Sequence, residues 1–191
     1  LQQLCKEIVW LEKGKLKMRG PAAEVIAAYT GDSYSQHAAK DADLRERWGT
    51  EEARINTIEL RDATGQIATR IDTNSAMQIR TNITAQTTLR APVIKVYISK
   101  LDGLVVWSST SHRADGKVGN MQESVTATID IPQLPLLEGT YFLSVACTDA
   151  TGTTEYDHCQ NWVRFDVHQD DVFEEGLVAV PSTWHIDRQP K

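Results

Sequence analysis

The stretch Leu134-Pro-Leu-Leu-Glu-Gly-Thr-Tyr-Phe-Leu-Ser-Val-Ala-Cys-Thr-Asp149 is the most apolar strand-like run in the sequence. After Gly139, large or apolar residues recur at every second position: Tyr141, Leu143, Val145 and Cys147. On the opposite face, Ser144 and Ala146 are small enough to lie beneath a neighbouring layer. This alternation is typical of a central strand in a two-layer β-structure. The stretch therefore predicts a β-sandwich, and it indicates no chemistry.

Composition limits the classes of protein to be considered. A chain of 191 residues is long enough for one well-buried domain plus an appendage. It has no apolar run near the ~20 residues that a membrane span needs and no leader pattern, so we expect a cytoplasmic chain. With 20 Lys and Arg against 26 Asp and Glu and no basic block, a nucleic-acid partner is not expected. Three cysteines without a CxxC pair fit a reducing compartment.

The first fifty residues differ in character from the rest. Glu7–Leu11 and Lys15–Arg19 read as a hairpin, and Gly20-Pro21 opens a helix with one apolar face up to Tyr29. This unit is too small to bury a core, so residues 1–30 resemble the cut end of a larger domain. Residues 31–50 are mostly polar and small, and we interpret them as a linker.

Residues 51–191 alternate between strands and turns. Besides the opening stretch, the pattern predicts strands at 53–61, 66–72, 76–86, 92–100, 104–109, 123–131, 161–168 and 177–180. A polar loop is expected through Tyr156, Asp157 and His158. Eight or nine strands at this spacing predict an all-β fold, an antiparallel β-sandwich.

No catalytic motif is present in the sequence. There is no G-x-S-x-G, no HExxH and no Gly-rich phosphate loop. Asp157-His158-Cys159 contains metal-ligand types, but three consecutive residues of an extended chain point in different directions, so a solvated loop is the preferred interpretation. We predict no catalytic residue, no metal and no cofactor. An enzyme acting on glycans is kept as a third hypothesis.

The outward faces of the predicted strands supply a candidate carbohydrate surface. Its members are polar or aromatic: Gln78, Arg80, Asn82, Lys95, Tyr97, Trp107, Trp162 and Arg164. The first five lie together if strands 76–86 and 92–100 pair, whereas Trp162 and Arg164 are expected to point away from the core. The direction of Trp107 depends on whether the Asp102-Gly103 turn carries a bulge. Aromatic rings beside amides and Arg suit sugars, but ordinary half-exposed sheet residues remain the alternative.

Two segments resemble a known family of transport proteins. The start, with Ile8-Val9-Trp10-Leu11-Glu12-Lys13-Gly14-Lys15, Gly20-Pro21 and Glu24–Tyr29, resembles the end of an ABC-transporter nucleotide-binding domain. From Trp48-Gly49 onwards the chain resembles the C-terminal domain of the Wzt-type ATP-binding subunit that exports O-antigen polysaccharide. The matching pieces are residues 49–55, Asp102-Gly103, 134–141, Tyr156-Asp157, 163–167 and 176–181.

The resemblance implies a jelly-roll or immunoglobulin-like sandwich that binds the exported bacterial polysaccharide without catalysis, often at its non-reducing end. It also implies a homodimer in which the last strand is a candidate for exchange: Leu177, Val178, Ala179 and Val180. The whole subunit would dock under a membrane permease, at the cytoplasmic side of the inner membrane. Because this chain lacks the Walker A, Walker B, signature and switch-histidine segments, ATP hydrolysis is not carried over to it. The alternative is a dimerisation or docking module that does not itself bind glycan.

Overall fold

The computed structural model describes residues 7–12, 14–21, 25, 44–113, 118–169 and 174–186. The chain divides into two compact units, 1–44 and 45–191. In the first unit, β1 (Glu7–Glu12) and β2 (Lys15–Pro21) form an antiparallel hairpin. The predicted hairpin is therefore present, but Pro21, expected to open a helix, ends β2 instead. Apart from Val25, the remainder of that expected helix lies outside the described residues.

The described part of the second unit contains nine further strands and one 3₁₀ turn. They are β3 (Glu46–Trp48), β4 (Ala53–Arg61), β5 (Arg70–Asp72), β6 (Met77–Ala85), β7 (Val93–Ser99), β8 (Val105–Thr110), the 3₁₀ turn Ser111–Arg113, β9 (Ser124–Ile131), β10 (Gly139–Thr148) and β11 (Glu155–His168). The large sheet has the order β3-β11-β10-β7-β8, and β5 runs parallel to β11 at its edge. The small sheet has the order β4-β6-β9. The two sheets enclose one core, which is the all-β sandwich that the sequence predicted.

The opening stretch of the sequence lies at the centre of the large sheet. β10 pairs with β7 on one side and β11 on the other, and its alternate residues Tyr141, Leu143 and Val145 are completely buried in the core. The Tyr141 hydroxyl donates to the Leu137 carbonyl at 2.8 Å, which satisfies its buried polar end. On the outer face Ser144 is also buried. The predicted central strand is confirmed.

The alternation in β6 is also as predicted. Met77, Ile79 and Ile83 point into the core, and the Thr81 hydroxyl among them donates to the Thr57 carbonyl at 2.8 Å. However, β6 does not pair with β7. It lies between β4 and β9 in the small sheet, whereas β7 lies in the large sheet. Alternation along a strand identifies its buried face but does not identify its neighbours, so the expected pairing of strands 76–86 and 92–100 is wrong.

The polar loop expected at Tyr156–His158 is part of a strand. β11 begins at Glu155 and continues for 14 residues along β10. Its middle contains a bulge, where the register shifts opposite Ser144 and Asn161 adopts φ 49°. Three residues, 160–162, lie opposite Ser144 alone, so the bulge adds two residues to β11 and interrupts its two-residue period there. This explains why the sequence pattern showed only the half of the strand after it.

Two other predicted strands are shorter than expected. The segment 66–72 contributes Arg70–Asp72, together with an isolated bridge between Ile67 and Arg61. The segment 177–180 is joined to the rest of the unit by a bridge between Val178 and Leu136 and by backbone hydrogen bonds on either side of it. It therefore does not form a regular strand in the single chain.

Candidate functional site

A charged clamp attaches β3 to the large sheet. Arg47 donates to both carboxylate oxygens of Asp157, from Nε at 2.9 Å and from Nη2 at 2.5 Å. The backbone N–H of Ile55 in β4 donates to the same carboxylate at 2.6 Å, and Arg47 reaches the Ile55 carbonyl at 3.1 Å. The hydrogen bond to Asp157 is the main cause that raises the pKa of Arg47. Three strands therefore meet at one bidentate ion pair.

The residues next to this clamp point to the other side of the sheet and form an aromatic group. Trp48 lies directly opposite His158, and their ring centroids are 4.0 Å apart with planes inclined by 28°. Tyr97 of β7 is parallel to His158, with the centroids 6.1 Å apart. His158 is 8% exposed, whereas Trp48 is 43% exposed. The group therefore presents the exposed indole ring of Trp48, stacked on the buried imidazole ring of His158.

Polar partners hold the aromatic group in place. The Trp48 indole N–H donates to Glu155. His158 places Nδ1 3.1 Å from the other oxygen of Glu155 and Nε2 3.1 Å from the amide oxygen of Gln160. Burial alone would raise the pKa of the Glu155 carboxyl, but the hydrogen bonds from His158 and Trp48 lower it overall. A carboxylate that bonds to both rings fixes their orientation before any ligand arrives.

On the same face of the large sheet, longer side chains flank two small ones. The small residues are Ser144 and Ala146 of β10, which are buried. Tyr97 and Lys95 lie across from them on β7, and Arg164 lies further along on β11, opposite Phe142. Burial and the nearby Glu155 carboxylate raise the pKa of the Tyr97 hydroxyl, so it remains a neutral donor and acceptor. We call this surface the Trp48 face; it consists of Trp48, Lys95, Tyr97, Ser144, Ala146, Glu155, His158, Gln160 and Arg164.

Gly49 allows the chain that follows Trp48 to run in close contact with the backbone of β11. Its φ is +143°, and a Cβ atom there would lie 2.4 Å from the Tyr156 carbonyl oxygen and 2.7 Å from the Asp157 Cα. The following residues continue this contact, since the N–H groups of Thr50 and Glu51 donate to the Glu155 and Tyr156 carbonyls. Only glycine fits at this position without displacing the backbone that carries His158.

The structure brings three of the predicted site residues together. Lys95, Tyr97 and Arg164 share the Trp48 face of the large sheet. Gln78 and Asn82 lie on the small sheet, in a different layer, and bond to their own neighbours: Gln78 donates to Asp130 at 2.8 Å, and Asn82 accepts from Asn56 and donates to Thr126. The strand of Arg80 belongs to the same layer. The expected single surface is therefore wrong, because the pairing that it required does not occur.

The two tryptophans of the predicted site, Trp107 and Trp162, pack against the core, whereas Trp48 lies on the outer face of the sheet. Trp107 pairs with the buried Ile98 and is half-buried against the core, which settles the direction that the sequence left open. Trp162 also packs against the core, beneath the guanidinium groups of Arg45 and Arg47 at 5.5 and 5.7 Å. The expectation that Trp162 points outward is wrong, because this residue lies within the bulge, where residues 160–162 have no regular partners on β10.

Sequence reasoning missed Trp48, Glu155, His158 and Gln160 as site residues. Trp48 was visible as the one large residue of an otherwise small and polar segment, and a strand beginning at Glu155 would have placed His158 outward and Asp157 inward. Elsewhere in the described ranges, no group of three or more His, Cys, Asp or Glu side chains is arranged to hold a metal ion. No helix in the described part of the chain is long and apolar enough to cross a membrane.

The geometry defines an antiparallel β-sandwich with an aromatic and polar surface on its larger sheet. A family model described as the Wzt C-terminal domain matches residues 45–180. The chain belongs to this family, which is the O-antigen ABC-transporter family that the sequence resembles.

A solved structure of this family has the same fold. The crystal structure of the C-terminal domain of Wzt superimposes with a TM-score of 0.67 at 16% identity, over 74% of this chain and 87% of that one. A Niemann-Pick type C2 protein from Japanese carpenter ant matches with a TM-score of 0.48 at 10% identity, over 64% of this chain and 98% of that one. No curated protein sequence matches the chain.

Proposed function

We propose that this domain recognises the O-antigen polysaccharide, at its non-reducing end, through the Trp48 face and without catalysis. The observation that carries the proposal is the open Trp48 ring, stacked on His158 and flanked by the Gln160 amide. Aromatic rings contact the C–H faces of sugars, and nearby polar groups distinguish hydroxyl positions. Family membership supports the same substrate class.

The polar groups of the face have separate roles in this proposal. Trp48 accepts the flat side of a sugar ring. Lys95 and the Tyr97 hydroxyl would exchange hydrogen bonds with the hydroxyl groups of that ring, and Arg164, four β10 positions or about 13 Å further along, would bond to a neighbouring sugar. Because Glu155 already fixes both the indole and the imidazole, little ordering is needed when the glycan binds, which favours affinity.

In the whole transporter subunit, this domain would hold a finished glycan chain near the permease on the cytoplasmic side of the inner membrane. Export driven by ATP would then act on the correct substrate. The subunit would contact the permease through its nucleotide-binding domain, of which residues 1–30 resemble the end. We propose a homodimer as the working form.

Isothermal titration with O polysaccharide purified from the producing strain tests the binding proposal. Trp48→Ala, which removes the stacking ring, and Tyr97→Ala, which removes the bonding hydroxyl, should each weaken binding by about tenfold, since truncating a central contact residue costs more than about 1 kcal/mol. Gln78→Ala, on the small sheet, is the matched control and should leave affinity unchanged. An absence of heat and of chemical-shift change with authentic glycan would exclude the proposal. Loss of binding in the Gln78 variant alone would move the site to the small sheet.

A second candidate function is dimerisation or docking through the C-terminal segment. Val180, Trp184 and Ile186 are 69%, 84% and 79% exposed, and the segment Leu177–Val180 is joined to its own domain by few backbone bonds. Apolar side chains this exposed favour a partner, and an exchanged strand in a second copy would supply one. Deleting residues 176–191 and measuring mass in solution is the test. A variant that stays dimeric would contradict the exchange.

A further inference from the structure

In the part of the chain that the structure describes, the sandwich is closed on one side and open on the other. On the closed side, the clamp of Arg47, Asp157 and Ile55 ties the small sheet to the large one. On the open side lie β8 and β9, each of which pairs with a single neighbour in its sheet. Between them is a trough of about 690 Å³. This volume is within the range of about 300–1,000 Å³ that is typical of small-molecule sites.

The floor of the trough is apolar and belongs to the core-facing side of the strands. Val125, Ala127 and Ile129 of β9 line it together with Val118 and Ile94. These β9 side chains alternate with the outward Thr126 and Thr128, and they pack against the core while remaining partly exposed. An alternating strand normally has its inward side chains covered, so this floor is suited to covering by a ligand.

The rim of the trough is rich in hydroxyl groups and in the backbone N–H and C=O groups of the unpaired strand edges. β9 contributes six consecutive residues, Val125–Asp130, so its unpaired edge borders the trough as well as its inner face. β8 and the 3₁₀ turn contribute Ser109, Thr110 and Ser111, and Ser111 already accepts from the Ile94 N–H at 3.0 Å. Five steps along β9 at about 3.3 Å per residue make the trough about 16 Å long.

The charge of the trough limits its ligand further. Among the described residues that line it, Asp130 alone is ionisable, and Gln78 donates to it at 2.8 Å. No described lining side chain could neutralise an anionic ligand. A hydrocarbon chain would cover the floor but would leave the backbone groups of the two edges without hydrogen bonds, at a cost of roughly 1–3 kcal/mol for each group. A neutral sugar chain covers the floor with its C–H faces and bonds to the rim with its hydroxyls.

We propose that this trough, the β8–β9 trough, is a second subsite that binds an uncharged internal stretch of the same polysaccharide. The inference rests on the proposed function of the Trp48 face. The two sites lie on opposite faces of the large sheet and are also separated laterally by the four strand spacings from β3 to β8, about 19 Å at roughly 4.8 Å each. A long polymer reaches both sites, whereas a short terminal fragment reaches only one. Simultaneous binding then raises the affinity for long chains selectively.

The test is a ¹H–¹⁵N titration of the full chain with the purified polysaccharide and with a short fragment of its non-reducing end. We expect the polymer to shift the Trp48 indole signal and the backbone signals of Ser109 and Ala127, and the fragment to shift the indole alone. Ala127→Phe fills the trough and should weaken polymer binding about tenfold while leaving the fragment affinity unchanged. Ala63→Phe, in the exposed turn after β4, is the matched control; Ala127→Leu replaces the Phe variant if that variant does not fold.

The outcomes separate the two proposals. Polymer shifts at Trp48 without shifts in the trough overturn the second subsite and leave the proposed function standing. Shifts at neither place overturn both. Shifts in the trough that survive Trp48→Ala at a higher polymer concentration support a subsite that binds independently of Trp48. If the trough signals move on concentrating the protein without glycan, the trough binds a peptide strand of a second copy, and the proposal is overturned.

Discussion

Replacing Asp157 with alanine should lower the free energy of unfolding by about 4 kcal/mol. The carboxylate accepts three hydrogen bonds, two from Arg47 and one from the Ile55 N–H. Breaking a buried ion pair costs about 3–5 kcal/mol; we take about 3 because a quarter of the Arg47 side chain is exposed. The unpaired Ile55 N–H adds about 1 kcal/mol. Urea denaturation followed by tryptophan fluorescence measures the sum.

Three further variants isolate the cause of this loss of stability. Asp102→Ala removes an exposed carboxylate that accepts from the Leu104 N–H at 3.1 Å, and it should cost less than about 1 kcal/mol. The double variant Arg47→Met, Asp157→Leu should be more stable than Asp157→Leu alone, since it leaves no unpaired charge. A loss below about 1.5 kcal/mol for Asp157→Ala, or equal instability of the single and double Leu variants, would refute the reasoning.

Three other predictions concern the same sheet. Gly49→Ala should destabilise the domain by about 3 kcal/mol, measured by the same denaturation, because a Cβ meets the β11 backbone at 2.4 Å; an unchanged transition midpoint contradicts this. In a Cys5→Ser background, Cys147 and Cys159 should react with Ellman's reagent only in denaturant, since burial raises their pKa to about 12 and about 11; rapid native labelling would show an open core. Because folding lowers the pKa of Glu155, its carboxylate stabilises the folded state at pH values above the ordinary pKa of glutamate. The wild type should therefore lose its stability advantage over Glu155→Gln as the pH falls below about 4; a stability advantage that grows as the pH falls would contradict this.

The sequence predicted which residues of a strand are buried better than it predicted which strands meet. Met77, Ile79 and Ile83 lie in the core as their alternation indicated. Alternation is a local property, and one residue of shift would expose the whole apolar set. The assignment of β6 to the small sheet and β7 to the large one depends on long-range packing, and no short window of sequence contains that information.

The candidate site was predicted in part for the same reason. Lys95 and Tyr97 were placed on an outer face by period two alone, and the structure agrees. Trp48 became part of the site only because β3 pairs with the start of β11, more than a hundred residues later. Trp162 was misplaced because it lies within the bulge at residues 160–162, which interrupts the alternation that the sequence pattern assumed.

The bulge at Asn161 divides β11 into two segments that can vary independently. The first segment, Glu155–Gln160, carries Glu155, His158 and Gln160 of the Trp48 face, whereas the second, Val163–His168, holds β5, completes the interior and adds Arg164 to that face. Because the bulge separates the two segments, substitutions at the outward positions of the first need not disturb the second. A library confined to residues 155, 158 and 160, with 163–168 kept constant, would therefore probe the proposed glycan preference on an unchanged scaffold.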